Sequence, residues 1–193
     1  MTDRYLDLVR HGEVEGGPCF RGRSDDPLSG LGWAQMSQAV ADAPTWTHII
    51  SSPLKRCADF AERFAETYKL PLERMDALRE RDFGAWDGVP THEIPPDDLS
   101  RFWEAPAEFN PPEAETFTDF RARVLEGWHQ ILRRPDPHTL VITHGGVIRT
   151  ILTDLLMMPP SALLLIEVPY ACRTRIRAPE PPGRPSLVFH RGN

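Results

Sequence analysis

Several short apolar runs in this chain stop at residues that can do chemistry. Leu6-Asp7-Leu8-Val9 ends at Arg10-His11-Gly12, and Thr139-Leu140-Val141-Ile142-Thr143 ends at His144-Gly145-Gly146. A third run, from Trp46 to Ser52, is followed at once by a helical pattern carrying Arg56. Short apolar runs bounded by polar residues and glycine are the pattern of buried strands, and open α/β sheets bind ligands at the carboxyl ends of their strands. A strand turning into solvent would explain any one of these segments alone. Together they send Arg10, Arg56, His11 and His144 to one sheet edge, beside the free N–H groups at the start of a helix that follows Gly145-Gly146 and is expected over Val147–Met157. Two guanidiniums, two imidazoles and oriented N–H groups suit a tetrahedral dianion, because arginine offers planar, paired donors to phosphate oxygens. A neutral imidazole facing phosphorus can also act as a nucleophile, its tautomer set by a backbone carbonyl on the other ring nitrogen.

Such chemistry needs an acid for the departing alkoxide and a base for the water that follows. Glu80 is the first candidate and Asp82 the second, in the charge-dense stretch Leu78 to Gly88. Beside a phosphate dianion, like charge and desolvation both favour the protonated carboxylic acid. Reading His11 and His144 as metal ligands is disfavoured, because the arginines beside them repel a cation.

The elements that must position these groups alternate strand and helix. After the first strand, residues 13–28 form a glycine- and proline-bearing loop that carries Arg21 and Arg23. Ser29 is the expected N-cap of a helix to about residue 43. Residues 46–52 read as the second strand, with Ser52 capping a helix that starts at Pro53 and runs to about Tyr68. A short strand is expected within 70–76 and a short helix around 98–103. The proline-rich region 89–112 is expected to be a lid or small inserted lobe. Thr116 and Asp119 resemble a capping box opening the longest helix, 117–134, whose Phe117, Phe120, Val124, Trp128 and Ile131 share one face. The tail reads as strands at Leu163–Val168, Arg173–Ala178 and Ser186–His190, with Arg173, Arg175 and Arg177 on a solvated edge. This pattern predicts a three-layer α/β/α fold around a mostly parallel central sheet.

Composition is consistent with that reading. The chain of 193 residues suits one domain, and its net charge of −6 argues against general nucleic-acid binding. The apolar stretch 148–168 is interrupted by Asp154, Pro159 and Pro160, so no membrane span is expected. The 3 cysteines have no paired spacing and read as reduced thiols of a cytoplasmic protein.

Five segments, taken in order, resemble the histidine phosphatase superfamily with its phosphoglycerate mutase-like fold. They are Arg10-His11-Gly12, the loop Phe20 to Ser29 ending Asp25-Asp26-Pro27-Leu28-Ser29, Ser51-Ser52-Pro53-Leu54-Lys55-Arg56, Leu78 to Gly88, and Thr143-His144-Gly145-Gly146. The resemblance implies one histidine phosphatase domain over residues 1–193. It implies that His11 is the phosphorylated nucleophile and Glu80 the proton donor, with Arg10, Arg56 and His144 holding the phosphoryl group. No cofactor or metal ion is implied, and the expected partner is a small phosphorylated substrate. Gly145 joins the phosphate-binding set through the helix start. Family members often carry an asparagine where this chain has Gly17, and Arg21 is the expected substitute, with Arg23 a further substrate-binding candidate. The compact loop and the run Gly30 to Met36 look most like the α-ribazole phosphatase branch. That implies hydrolysis of α-ribazole 5′-phosphate in cobalamin nucleotide-loop assembly. The alternatives are a broad-specificity sugar or nucleotide phosphatase, a phosphoglycerate mutase-like protein, or a binding module that holds a phospho-ligand without turnover.

Overall fold

The computed structural model describes residues 3–41, 45–180 and 182–192. Six strands form one sheet in the order β3-β2-β4-β1-β5-β6. They are β1 (Arg4–Arg10), β2 (His48–Ser51), β3 (Leu72–Arg74), β4 (His138–Thr143), β5 (Arg173–Ala178) and β6 (Ser186–Arg191). The first four are mutually parallel, β5 pairs antiparallel with β1, and β6 pairs antiparallel with β5.

Side chains alternate across the sheet, as the two-residue period of a strand requires. Leu6 and Leu8 of β1, Ile50 of β2 and Val141 of β4 join one apolar cluster with α4 (Phe117–Leu132) and α5 (Gly145–Leu155). Val9, Ile49, Leu140 and Ile142 face the other way, against α1 (Gly30–Ala39) and α2 (Lys55–Tyr68). The result is the expected three-layer α/β/α arrangement. A third cluster lies outside these layers. Phe102 of α3 (Pro96–Glu104) packs with Trp86 and Ile94, and with the half-buried Phe20 and Phe83.

Side-chain caps set the starts of α1 and α4. Ser29 Oγ accepts from the Gly32 N–H at 3.0 Å, opening α1. Thr116 Oγ1 accepts from the Asp119 N–H at 3.1 Å and donates to its carboxylate at 2.7 Å, so the N-cap half of the expected box forms, while the Asp119 carboxylate meets the Thr116 hydroxyl and not its backbone N–H. α1 ends at Ala39, short of residue 43, and residues 42–44 lie outside the described part of the chain. α2 also departs from expectation: it starts at Lys55, and its first free N–H is taken by Asp25 Oδ1 at 2.7 Å. Leu54 and not Ser52 occupies the cap position, and the Ser52 hydroxyl accepts only a long bond from the Leu54 N–H, at 3.4 Å, besides its contact with His144.

Two readings of the tail are corrected. Residues 163–168 are not a strand, since Pro160–Leu165 forms a 3-10 turn. Pro159 and Pro160 lack the N–H groups a ladder needs, and the next residues follow a threefold pattern. Leu163 is buried and Leu165 exposed. Arg173 and Arg175 do not line a solvated edge either, because β5 pairs on both sides, with β1 and with β6. Arg173 is buried, and Arg175 donates to both oxygens of the fully buried Asp7 at 2.7 and 2.9 Å.

Candidate active site

β1, β2 and β4 end together, and the polar residues at their ends meet there. The His11 N–H donates to the Thr143 carbonyl at 2.9 Å, and the Ser52 N–H to the Ile142 carbonyl at 2.9 Å. His11 is buried, and its Nδ1 donates to the Gly12 carbonyl at 2.8 Å. A carbonyl can only accept, so Nδ1 carries the proton and Nε2 keeps its lone pair, without a partner among the described residues. Burial, reinforced by the charges of Arg56 and Arg10, holds the His11 pKa well below 6.5. This imidazole is therefore neutral and nucleophilic at neutral pH. Gly12 is required by packing, since a Cβ there would lie 2.3 Å from the Gly32 carbonyl oxygen.

His144 and Arg56 lie behind His11, both fully buried, and neither lines the open cavity. The two imidazole rings stand 5.2 Å apart, edge to face. Arg56 Nε donates to His144 Nδ1 at 3.2 Å, which leaves His144 Nε2 protonated and donating to Ser52 Oγ at 2.7 Å. Burial, followed by the Arg56 charge, lowers the His144 pKa well below 6.5. The Arg56 guanidinium also donates to the carbonyls of Ser24 and Gly22 at 2.6 and 2.8 Å. In this structure, the donors of Arg56 are thus taken by His144 and the loop carbonyls. In this geometry the two side chains orient each other, and Arg56 the loop over the site.

Arg10 faces the cavity. Its Nη1 donates to the Val168 carbonyl at 2.6 Å, and its guanidinium lies 4.3 Å from the centre of the Tyr170 ring. Its buried Nε has no hydrogen-bond partner. Glu80 reaches the same cavity from an irregular segment tethered by the Thr143 hydroxyl, which donates to the Leu78 carbonyl at 2.9 Å. Glu80 Oε2 accepts the Gly146 N–H at 2.9 Å, so the start of α5 orients the carboxylate. Gly145 is the buried first residue of that helix and sits against Arg10.

Two candidates, Asp82 and Arg23, lie outside this cavity in an adjoining cleft that Glu80 also lines, and a third, Arg21, has its donors spent on its own loop. Asp82 caps the Gly84 N–H and pairs with Arg23 at 3.6 Å, outside the cavity. Arg23 is exposed and also outside it. Arg21 lines the cavity, but its donors close the loop: Nε on Asp26 at 3.0 Å, Nη1 on the Gly17 carbonyl at 2.6 Å and Nη2 on the Glu15 carbonyl at 2.7 Å. It therefore braces the loop around Gly17, whose φ of 75° suits glycine. Asp87 completes the brace by accepting the N–H groups of Gly22, Arg23 and Ser24.

The cavity encloses about 230 Å³. One wall is polar, with Arg10, His11, Glu80 and Arg149; the facing wall is aromatic, with Phe20, Phe83, Phe102 and Trp103. Arg149 and Tyr170 are site residues that sequence reasoning missed. Arg149 was detectable, because it follows Gly145 by one helical turn on the same face. Tyr170 sits in an irregular loop and had no such signal. Among the described residues, no group of three or more His, Cys, Asp or Glu is placed to hold a metal ion. None of their helices is long and apolar enough to cross a membrane.

A family model for the histidine phosphatase superfamily (branch 1) matches residues 6–188. Over 158 residues the chain is 32% identical to the uncharacterized phosphatase PhoE of Bacillus subtilis, covering 77% of this chain and 75% of that one. Over 189 residues it is 32% identical to a 2,3-bisphosphoglycerate-dependent phosphoglycerate mutase of Rhizobium etli, covering 89% and 90%. The structure of a putative alpha-ribazole-5′-P phosphatase from Escherichia coli superposes with a TM-score of 0.85 at 22% identity, over 98% of this chain and 96% of that one. That likeness establishes the fold.

Proposed function

The chain belongs to the histidine phosphatase superfamily, and from that premise we propose that it is a phosphomonoesterase working through a phosphohistidine on His11. One observation carries the proposal: a neutral imidazole with an unprotonated Nε2 shares its cavity with a carboxylate, and the unpartnered donor of Arg10 lies beside them. Nε2 attacks phosphorus, the ester P–O bond breaks, and protonated Glu80 gives its proton to the leaving oxygen. Glu80, now ionised, takes a proton from water, whose oxygen attacks phosphorus and breaks the N–P bond. Arg10 and the N-terminus of α5 offset the charge on the phosphoryl oxygens through both steps. Arg56 holds the loop and the His144 imidazole in register behind the nucleophile.

The aromatic wall supports a leaving group with a planar, apolar portion, which matches the α-ribazole 5′-phosphate expected from the loop resemblance. A bare sugar would leave Phe102 and Trp103 facing polar hydroxyls. The mutase relative supports a second reading, phosphoryl transfer to another metabolite, which requires water to be kept from the phosphoenzyme.

The test uses p-nitrophenyl phosphate and α-ribazole 5′-phosphate against a sugar phosphate and a nucleotide, compared by kcat/KM. His11→Ala should abolish turnover and the acid-labile phosphoprotein trapped by rapid quench. Glu80→Gln should lower kcat by about 10²–10⁴. Full activity in either variant would overturn the assigned roles. Equal kcat/KM for all four substrates would overturn the aromatic preference, and phosphate transfer to an acceptor in place of release would support the mutase reading.

A further inference from the structure

The mechanism above makes no use of Arg149, a charged group that lines the cavity. Arg149 is half-buried on the polar wall, one turn into α5. Its Nε donates to the Ile166 carbonyl at 2.8 Å, which sets the plane of the guanidinium. Its terminal nitrogens have no hydrogen bond or ion pair among the described residues. A Cβ built on Gly145 would lie 3.2 Å from Arg149 Nη1 and 3.4 Å from Arg10 Nε, so both guanidiniums flank the same helix start.

Three consecutive carbonyls hold this arrangement. Ile166 accepts from Arg149, Glu167 from His190 Nε2 at 2.6 Å, and Val168 from Arg10 Nη1 at 2.6 Å. One loop, tied to β6 through His190, thus keeps two like charges close together with donors to spare. Mutual repulsion makes such a pair unfavourable on its own, and an oxyanion between the two relieves it.

Resting on the reading of this cavity as a phosphomonoester site, we propose that Arg149 is a substrate-binding residue that takes an oxyanion of the substrate beside Arg10. The oxyanion belongs either to the phosphoryl group itself or to a second acidic group carried near it. The two sources give different patterns of inhibition.

The experiment measures competitive inhibition of p-nitrophenyl phosphate hydrolysis by inorganic phosphate and by 3-phosphoglycerate, a monoester carrying a carboxylate. It compares the wild type with Arg149→Met and Arg149→Lys. If the phosphoryl group is the partner, Arg149→Met raises both inhibition constants at least tenfold. If a second acidic group is the partner, it raises the 3-phosphoglycerate constant tenfold and leaves the phosphate constant within twofold. In both cases Arg149→Lys falls between; in the first, KM for the aryl phosphate also rises with a smaller change in kcat, and in the second neither changes. Both constants within twofold of wild type in a folded Arg149→Met protein would overturn the proposal. A wild type that binds phosphate without hydrolysing it would sink the phosphatase reading alone, since calorimetric dissociation constants then test Arg149 in the same way.

Discussion

Glu80 Oε2 accepts the Gly146 N–H at 2.9 Å, and a Cβ on Gly146 would stand 2.3 Å from Oε1 of the same carboxylate. The second glycine after His144 therefore makes room for the proposed acid and also orients it. Gly146→Ala must displace Glu80. The expected outcome is a fall in kcat of about 10²-fold, steeper for alkyl than for p-nitrophenyl esters, because a poor leaving group depends more on protonation. Steady-state kinetics with both ester classes check this. An equal fall for both would mean that Glu80 does not protonate the leaving group.

Ser52 carries the next prediction. Its hydroxyl accepts from His144 Nε2 at 2.7 Å in a fully buried setting. Ser52→Ala strands that N–H, at a cost of roughly 1–3 kcal/mol, read as a lower denaturant midpoint. Ser52→Thr keeps the oxygen and should recover most of the loss. An Ala variant as stable as wild type would show that the hydrogen bond contributes nothing.

Arg21 braces the loop after the nucleophile with three donors, and it should act on that loop and not on the chemistry. Arg21→Ala is expected to raise KM several-fold with a smaller change in kcat. It should also speed proteolytic cleavage within residues 13–28. Unchanged cleavage together with an unchanged KM would remove Arg21 from this role.

Acid should weaken the fold in two stages. His11 and His144 are buried neutral, with pKa values well below 6.5. The unfolded chain therefore binds protons first as pH drops below about 6.5, and stability falls by about 1.4 kcal/mol per pH unit for each histidine until the folded values are reached. Burial alone would raise the Asp7 pKa, but hydrogen bonds from Arg175 and His138 outweigh it and bring the carboxyl from 3.8 to about 2. Its contribution, roughly 2–3 kcal/mol, is complete above pH 4 and is lost as pH falls towards 2. Asp7→Asn should forfeit that amount at pH 7 and flatten the stability curve between pH 4 and 2. A curve parallel to wild type across that window would show that Asp7 is not the titrating group.

Strand-end placement was legible in the sequence, because apolar runs stopping at Arg10-His11 and at His144-Gly145 define buried strands whatever their neighbours are. The three-layer fold, the caps at Ser29 and Thr116 and the face of α4 followed from the same local periodicities. Sequence also put Glu80 ahead of Asp82, and the structure places only Glu80 in the cavity with His11.

Tertiary structure decided how the charges pair, since pairing depends on partners distant in the chain. Arg56 proved to be satisfied by loop carbonyls and His144, Arg21 by its own loop, and Arg175 by Asp7 on a strand 168 positions away. Residue type marks each of these as a cation but says nothing of whether its donors are spent. The tail strand at 163–168 was misread for a related reason: its apolar residues fit a strand locally, but the two preceding prolines set the backbone. Strand ends are encoded locally, whereas the availability of a guanidinium is settled only when the chain has closed around it.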